Sequence, residues 1–171
     1  MTWMLCRRTL LAAALAVVGL HVSPVIAQDA PVVVYLVRHA EKVDDSRDPP
    51  LSPVGTGRAE ALAVILRDAG ITHVWSTDFH RTRNTATPTA TALGLTVELY
   101  NPAAMAEFGA RLKATPGRHL VVGHSNTTPG LVKALGGDPK GDILDTEYNR
   151  LYIVTLQGSV SSVLLRYGAG Q

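Results

Sequence analysis

Two histidines in this chain follow directly on apolar runs: "VVVYLV" leads into Arg38 and His39, and "HLVVG" leads into His124. An unbroken run of this kind reads as a strand covered on both faces, so the polar residues that end it sit where the strand leaves the core. In open α/β sheets that rim is where ligands bind. A second arginine, Arg81, stands in "STDFHRTRNTA", just after a third apolar stretch. Two imidazoles and two guanidiniums on one rim suit phosphoryl chemistry. A neutral imidazole is a competent nucleophile toward phosphorus, and a transferring phosphoryl group spreads charge over three equatorial oxygens. Planar guanidinium forks match those oxygens and stay charged at any working pH. A second imidazole can contact the same oxygens and stabilise the developing charge. At the start of a helix, Arg81 would be joined by free N–H groups that also attract an anion. Neighbouring cations are expected to lower the pKa of His39 and keep it neutral.

The elements that must position these residues alternate strand with helix. After residues 32–37 comes a polar loop, "EKVDDSRDPP", and then Ser52-Pro53, an N-cap followed by proline at the first helical position. Leu62, Ile65, Leu66 and Ala69 share a face at helical spacing, and Gly70 closes that helix. "HVWST" is the second strand. It leads into a helix capped by Thr77 or Asp78, which Pro88 is expected to kink or divide. "LTVELY" is the third strand, and Asn101-Pro102 starts a helix with Met105, Phe108 and Leu112 inward. "RHLVVGH" is the fourth strand, followed by a short helix from Thr128-Pro129 to Gly136-Gly137. "RLYIVTL" and "VSSVLLRYG" flank Gln157-Gly158 as an edge hairpin. The expected fold is a three-layer α/β/α unit with a mostly parallel central sheet and a C-terminal edge hairpin. Right-handed crossovers put the carboxyl ends of strands one, two and four on one rim, so Arg38, His39, Arg81 and His124 converge.

Residues 1–27 are set apart from the fold. Arg7 and Arg8 precede an apolar stretch, Leu10 to Leu20, and Ala27 provides a small residue for cleavage, the layout of a signal peptide. The apolar stretch is too short for a spanning helix. The mature domain is therefore expected over 28–171, in the periplasm or secreted, with the arginine pair compatible with twin-arginine export. The one cysteine, Cys6, falls in the leader, which removes disulfides, Cys-ligated zinc and thiol nucleophiles from the mature domain. Without Arg7 and Arg8 the chain has fourteen basic and fourteen acidic residues, so nothing in its charge suggests a nucleic acid. No membrane partner is expected after cleavage.

"LVRHAEK", "STDFHRTRNTA" and "VVGHSNT", in this order, resemble the three signatures of the histidine phosphatase superfamily, the phosphoglycerate mutase-like proteins, from about Val32 to the end of the chain. The resemblance implies that His39 is the phosphate-accepting nucleophile, that Arg38 and Arg81 are phosphate ligands, and that His124 is the second pocket histidine. It also implies a phosphomonoesterase working through a phosphohistidine, without a metal or other cofactor, since arginines supply the charge. The expected partner is a small phosphorylated substrate or a phosphoprotein. Ser125, Asn126 and Glu41 are further candidates for substrate contact, with orientation of Arg38 the alternative role for Glu41. Two departures stand out. Ala40 replaces the usual glycine after the first histidine, and no clear motif marks the proton donor, for which "VELYNPAAMAEF" offers only Glu98 and Glu107. The chain is short, which leaves little room for a cap over the pocket, and it is similar in size to the small phosphohistidine phosphatases.

Blander readings apply to other residues. His73, His80 and His119 read as structural, Arg83 as a rim residue, and Asp44, Asp45 and Asp48 as a solvated loop rather than a metal site. "GHSNT" approaches the G-x-S-x-G elbow, yet no histidine follows His124 to complete a triad on Ser125. "HAE" shares H-x-E with the zinc deaminases but lacks their C-x-x-C. "GTGRAE" lacks the last glycine of a dinucleotide loop and reads as a helix start. Two alternatives to hydrolysis stay open: a non-catalytic module that binds phosphorylated ligands in the same pocket, and phosphotransfer between esters.

Overall fold

A computed structural model describes residues 31–168; the expected leader and its cleavage point lie outside them. In chain order the elements are β1 (Val32–Arg38), α1 (Pro53–Leu66), β2 (His73–Ser76), α2 (His80–Leu93), β3 (Val97–Leu99), α3 (Met105–Ala114), β4 (Arg118–Gly123), α4 (Thr127–Leu135), β5 (Arg150–Gln157) and β6 (Ser159–Arg166). The sheet order is β3-β2-β4-β1-β5-β6, with parallel pairing among the first four strands and antiparallel pairing of β5 with both neighbours. The expected mostly parallel sheet with an edge hairpin is what forms.

β1 is buried along its whole length because it is covered on both faces. Val32, Val34 and Leu36 pack with Phe108, Leu112, Leu131 and Leu135 under α3 and α4. Val33, Tyr35 and Val37 pack with Leu62, Leu66, Ala86 and Ala90 under α1 and α2. The helices after β1 and β2 thus lie on one face and the helix after β4 on the other. β4 sits between β2 and β1, so the chain diverges to opposite faces on either side of it. That divergence opens the crevice at the strands' carboxyl ends.

Several boundaries differ from expectation for local reasons. Ser52 caps α1, its Oγ accepting from Gly55 N at 3.1 Å, as its place before Pro53 requires. The buried stripe of α1, however, is Gly55, Arg58, Ala59, Leu62 and Leu66, and Ile65 is 49% exposed. The helix also ends at Leu66, with Gly70 (φ +68°) in the turn beyond. α2 runs unbroken through Pro88. Its inner face carries Thr82, Thr85, Ala86, Thr89 and Ala90, all buried, and this packing outweighs the one backbone hydrogen bond that proline removes. Neither Thr77 nor Asp78 is its N-cap; Phe79 is, without a side-chain bond. Asn101-Pro102 forms a turn in which Asn101 Oδ1 accepts from Ala103 N at 2.9 Å, and α3 begins only at Met105.

Candidate active site

Cα partners Arg38 and Gly123 close the β1–β4 ladder, so the next residue on each strand is a histidine and the two leave the sheet side by side. His39 N donates to Gly123 O at 2.9 Å, and the two imidazole centroids are 5.5 Å apart at 67°. The backbone at Gly123 tolerates no side chain. A Cβ there would stand 2.8 Å from the Tyr100 hydroxyl and 3.0 Å from the hydroxyls of Thr127 and Thr128.

His39 is 4% exposed and its Nδ1 lies 2.8 Å from Ala40 O. A carbonyl only accepts, so Nδ1 carries the proton and Nε2 keeps its lone pair. Burial, reinforced by Arg38, His124 and Arg81, pushes this imidazole down to about 3 against the smaller pull of the Ala40 carbonyl, so it is neutral at working pH. The turn after it is held by Thr85, whose Oγ1 accepts from Ala40 N at 2.9 Å and donates to Arg81 O at 2.7 Å.

His124 Nε2 lies 2.9 Å from Thr77 Oγ1, which is also 2.9 Å from Thr82 Oγ1. The edge of Phe79 packs on the His124 ring at 5.2 Å. Burial pushes this imidazole down to about 4, and Arg81 and Arg38 add to the effect.

Arg38 is buried at the end of β1. Its Nη1 donates to the carbonyls of Leu144, Asp145 and Glu147 at 2.8, 2.9 and 3.1 Å, and its guanidinium lies 4.2 Å over the Tyr148 ring. Its Nε is buried without an acceptor. Arg81, in the first turn of α2, rests 4.4 Å over the Phe79 ring and donates to Arg47 O at 3.2 Å. The free N–H groups expected at that helix start are partly used. Asp48 Oδ1 accepts from His80 N at 2.7 Å and lies 3.9 Å from Arg81 Nη1, so Asp48 caps α2 from the loop between β1 and α1 instead of standing in solvent. Arg83 pairs with Asp78 at 2.5 Å, away from these groups.

Arg38, His39, Arg81 and His124 line one open cavity of about 570 Å³, with Ser125 and Asn126 on its wall. A neighbouring trough of about 600 Å³, walled by Lys133 and Ile143, meets it at the same Ser125 and Asn126. Asn126 is the N-cap residue of α4 yet its side chain makes no capping bond.

Three sequence candidates are elsewhere. Glu41 does not reach the cavity or Arg38. Its carboxylate takes Arg58 in a two-pronged pair, with Nε 2.9 Å from both oxygens and Nη2 2.6 Å from one, while Arg58 Nη1 donates to Tyr167 O at 3.0 Å. The cause is the phase of α1: Arg58 lies on the helix's buried stripe and needs a neutralising carboxylate. Glu98 pairs with Arg111 at 3.3 Å on β3. Glu107 lines a separate depression with Tyr100 and Arg111, so neither glutamate stands beside His39. Residues not foreseen are Thr77, Thr82, Thr85, Phe79 and Tyr148. The threonines did leave a trace, since a helix whose inner stripe reads Thr82, Thr85, Thr89 has hydroxyls where a core face should be apolar.

The buried imidazoles have a measurable consequence. His119 accepts from Trp75 Nε1 at 3.1 Å, its Nε2 lies 2.9 Å from Thr115 O, and burial lowers its pKa as well. In the unfolded chain these histidines titrate near ~6.5, so between that pH and their folded values the unfolded state binds more protons and stability rises with pH. Their contribution is complete above ~6.5 and is lost as pH falls, by up to ~1.4 kcal/mol per pH unit for His39. The urea midpoint is expected to be lower at pH 5 than at pH 7.5. An unchanged or higher midpoint at pH 5 contradicts this reading of the site.

Residues 34–110, which hold Arg38, His39 and Arg81, match the pattern of the histidine phosphatase superfamily, branch 1. The matched stretch is a little under half of the chain. A stretch of 71 residues is 41% identical to a probable phosphoglycerate mutase, GpmB, from Yersinia pestis strain Pestoides F, covering 37% of this chain and 33% of that protein. The chain thus spans about a third of the length of the curated relatives it matches. Among solved structures, the protein histidine phosphatase SixA complexed with tungstate superimposes with a TM-score of 0.65 at 20% identity, over 80% of this chain and 96% of that one. A putative phosphohistidine phosphatase SixA from Nakamurella multipartita gives 0.63 at 21%, over 83% and 99%. A mycobacterial glucosyl-3-phosphoglycerate phosphatase gives 0.64 at 15%, over 82% and 100%. These likenesses show the histidine phosphatase fold in its small form.

Proposed function

We propose that this protein is a histidine phosphatase, an exported phosphomonoesterase that cleaves a phosphate ester through a phosphohistidine on His39. The observation that carries the reading is the neutral His39 ring, held by its Nδ1–H on Ala40 O so that Nε2 is a free nucleophile in a cavity flanked by two arginines. In the first half-reaction Nε2 attacks phosphorus and the alcohol leaves. The Nδ1–H···O=C bond fixes the ring and supports the positive charge it takes up. Arg38 and Arg81 hold the equatorial oxygens, their guanidinium groups lining the cavity beside His39. His124, oriented by Thr77, stabilises the same oxygens. Water then releases phosphate from His39.

Export rests on residues 1–27, and placement outside the cytoplasm argues for a phosphoester substrate there rather than a cytosolic phosphorelay protein. The uncapped cavity and adjoining trough support small organic phosphates as the substrate class. Phosphotransfer to a second ester would use the same phosphohistidine and would appear as phosphate moved to an added alcohol.

The position of Glu98 and Glu107 away from His39 is also what a non-catalytic phosphate-binding module would have. The two readings separate on trapping. With ³²P-labelled substrate, in EDTA and quenched in alkali, the protein is expected to hold acid-labile label on the peptide containing His39. Binding of phosphate without label or turnover would establish the module instead.

A further inference from the structure

The reaction needs a group that gives a proton to the departing oxygen and takes one from the attacking water. Three carboxylates near the rim are committed: Glu41 to Arg58, Asp48 to the start of α2, and Glu147 to Arg150 at 2.8 Å and to Arg166. Asp145 is the sole Asp or Glu, among the described residues, that lines the cavity of His39 and His124. The residue is exposed, and its carboxylate interacts electrostatically with Arg38.

The backbone that carries it is fastened on both sides. Arg38 Nη1 takes the carbonyls of Leu144, Asp145 and Glu147. Arg150 donates to the carbonyls of Gly141 at 3.0 Å and Asp142 at 2.9 Å, and Tyr148 lies against Arg38. The loop between α4 and β5 is thereby fixed by the guanidinium assigned to the phosphoryl group. A carboxylate on that loop keeps its register with the reacting phosphorus.

We propose that Asp145 is the proton-transfer residue of this site, an inference that rests on the phosphomonoesterase reading above. In the first step the N–P bond to His39 forms, the P–O bond to the alcohol breaks, and the departing oxygen takes the proton of the Asp145 carboxyl. In the second step water attacks phosphorus, the N–P bond breaks and returns the electron pair to Nε2, and the Asp145 carboxylate takes the water proton. The carboxyl is restored, and the net change is ester plus water to alcohol plus phosphate.

The test compares Asp145→Asn with the unaltered protein on two substrates, glycerol 2-phosphate, whose alcohol leaves only with a proton, and p-nitrophenyl phosphate, whose phenolate leaves without one. With the first, kcat/KM is expected to fall roughly 10²-fold or more, the usual worth of general acid–base help. With the second, label transfer to His39 survives and only its hydrolysis slows, so p-nitrophenolate appears as a burst and labelled protein accumulates. Asp145→Glu is expected to recover part of the loss. Equal losses on both substrates without a burst, or kinetics unchanged on both, overturn the assignment. If the unaltered protein shows no turnover that depends on His39, it is the phosphomonoesterase reading that fails, before any Asp145 variant is measured.

Discussion

Replacing His39 by alanine is expected to abolish phosphorylation of the protein and to reduce turnover by a factor on the order of 10⁶, the scale seen when a covalent catalyst loses its nucleophile. Among the described residues no other imidazole is placed to substitute: His80 lies outside the cavity lining, 3.9 Å from Asp48. His73 and His119 stack on each other at 4.7 Å, and His119 is fully buried, bonded to Trp75. His124 is tied to Thr77 at the ring atom that would have to attack if Nε2 were used, and its expected work is to hold the oxygens. The fold should persist, because β1 is secured by its ladders to β4 and β5. The variant is also expected to lose less stability than the unaltered protein on going from pH 7.5 to pH 5, since one buried neutral imidazole has been removed. Phosphate turnover within tenfold of normal in His39→Ala would sink the covalent mechanism.

In the proposed mechanism Arg38 carries two tasks at once, and the second large effect follows from that. Arg38→Ala removes a positive donor from the transferring phosphoryl group, which on the scale of a lost oxyanion donor costs about 3 to 4 kcal/mol, or roughly 10²–10³ in kcat. It also strands three carbonyls, those of Leu144, Asp145 and Glu147, which now share one Nη1. The loop between α4 and β5 is then expected to open to protease, while β1 and its neighbours stay protected. Arg38→Lys keeps the charge but not the fork: one ammonium cannot serve the loop carbonyls and a phosphoryl group together, so rescue is partial. Full activity in Arg38→Lys would show that the planar geometry is irrelevant, and full activity in Arg38→Ala would show that the phosphoryl group binds elsewhere.

The sequence by itself determined whatever depends on neighbours along the chain. Alternating apolar runs and helical stripes are local, so they marked the strands and their rim, with Arg38-His39 and His124 at strand ends. Ser52-Pro53 and Gly136, in the left-handed region at the end of α4, are local turn chemistry and were readable as a cap and a stop. Family signatures are local strings too, which is why the resemblance to the superfamily was legible. The tertiary structure decided what depends on which elements meet. The string places Arg58 in a helix and Glu41 beside the nucleophile, but only the phase of α1 pairs them across 17 residues. Asp48 capping α2 follows from 32 residues of separation, and Asp145 reaches Arg38 across 107. Such pairs carry no periodicity, because the sheet order β3-β2-β4-β1-β5-β6, not the chain order, sets who is adjacent. Glu98 and Glu107 fell outside the cavity for the same reason: a glutamate can be read from its string, but the direction it faces is set by the strand and helix that carry it.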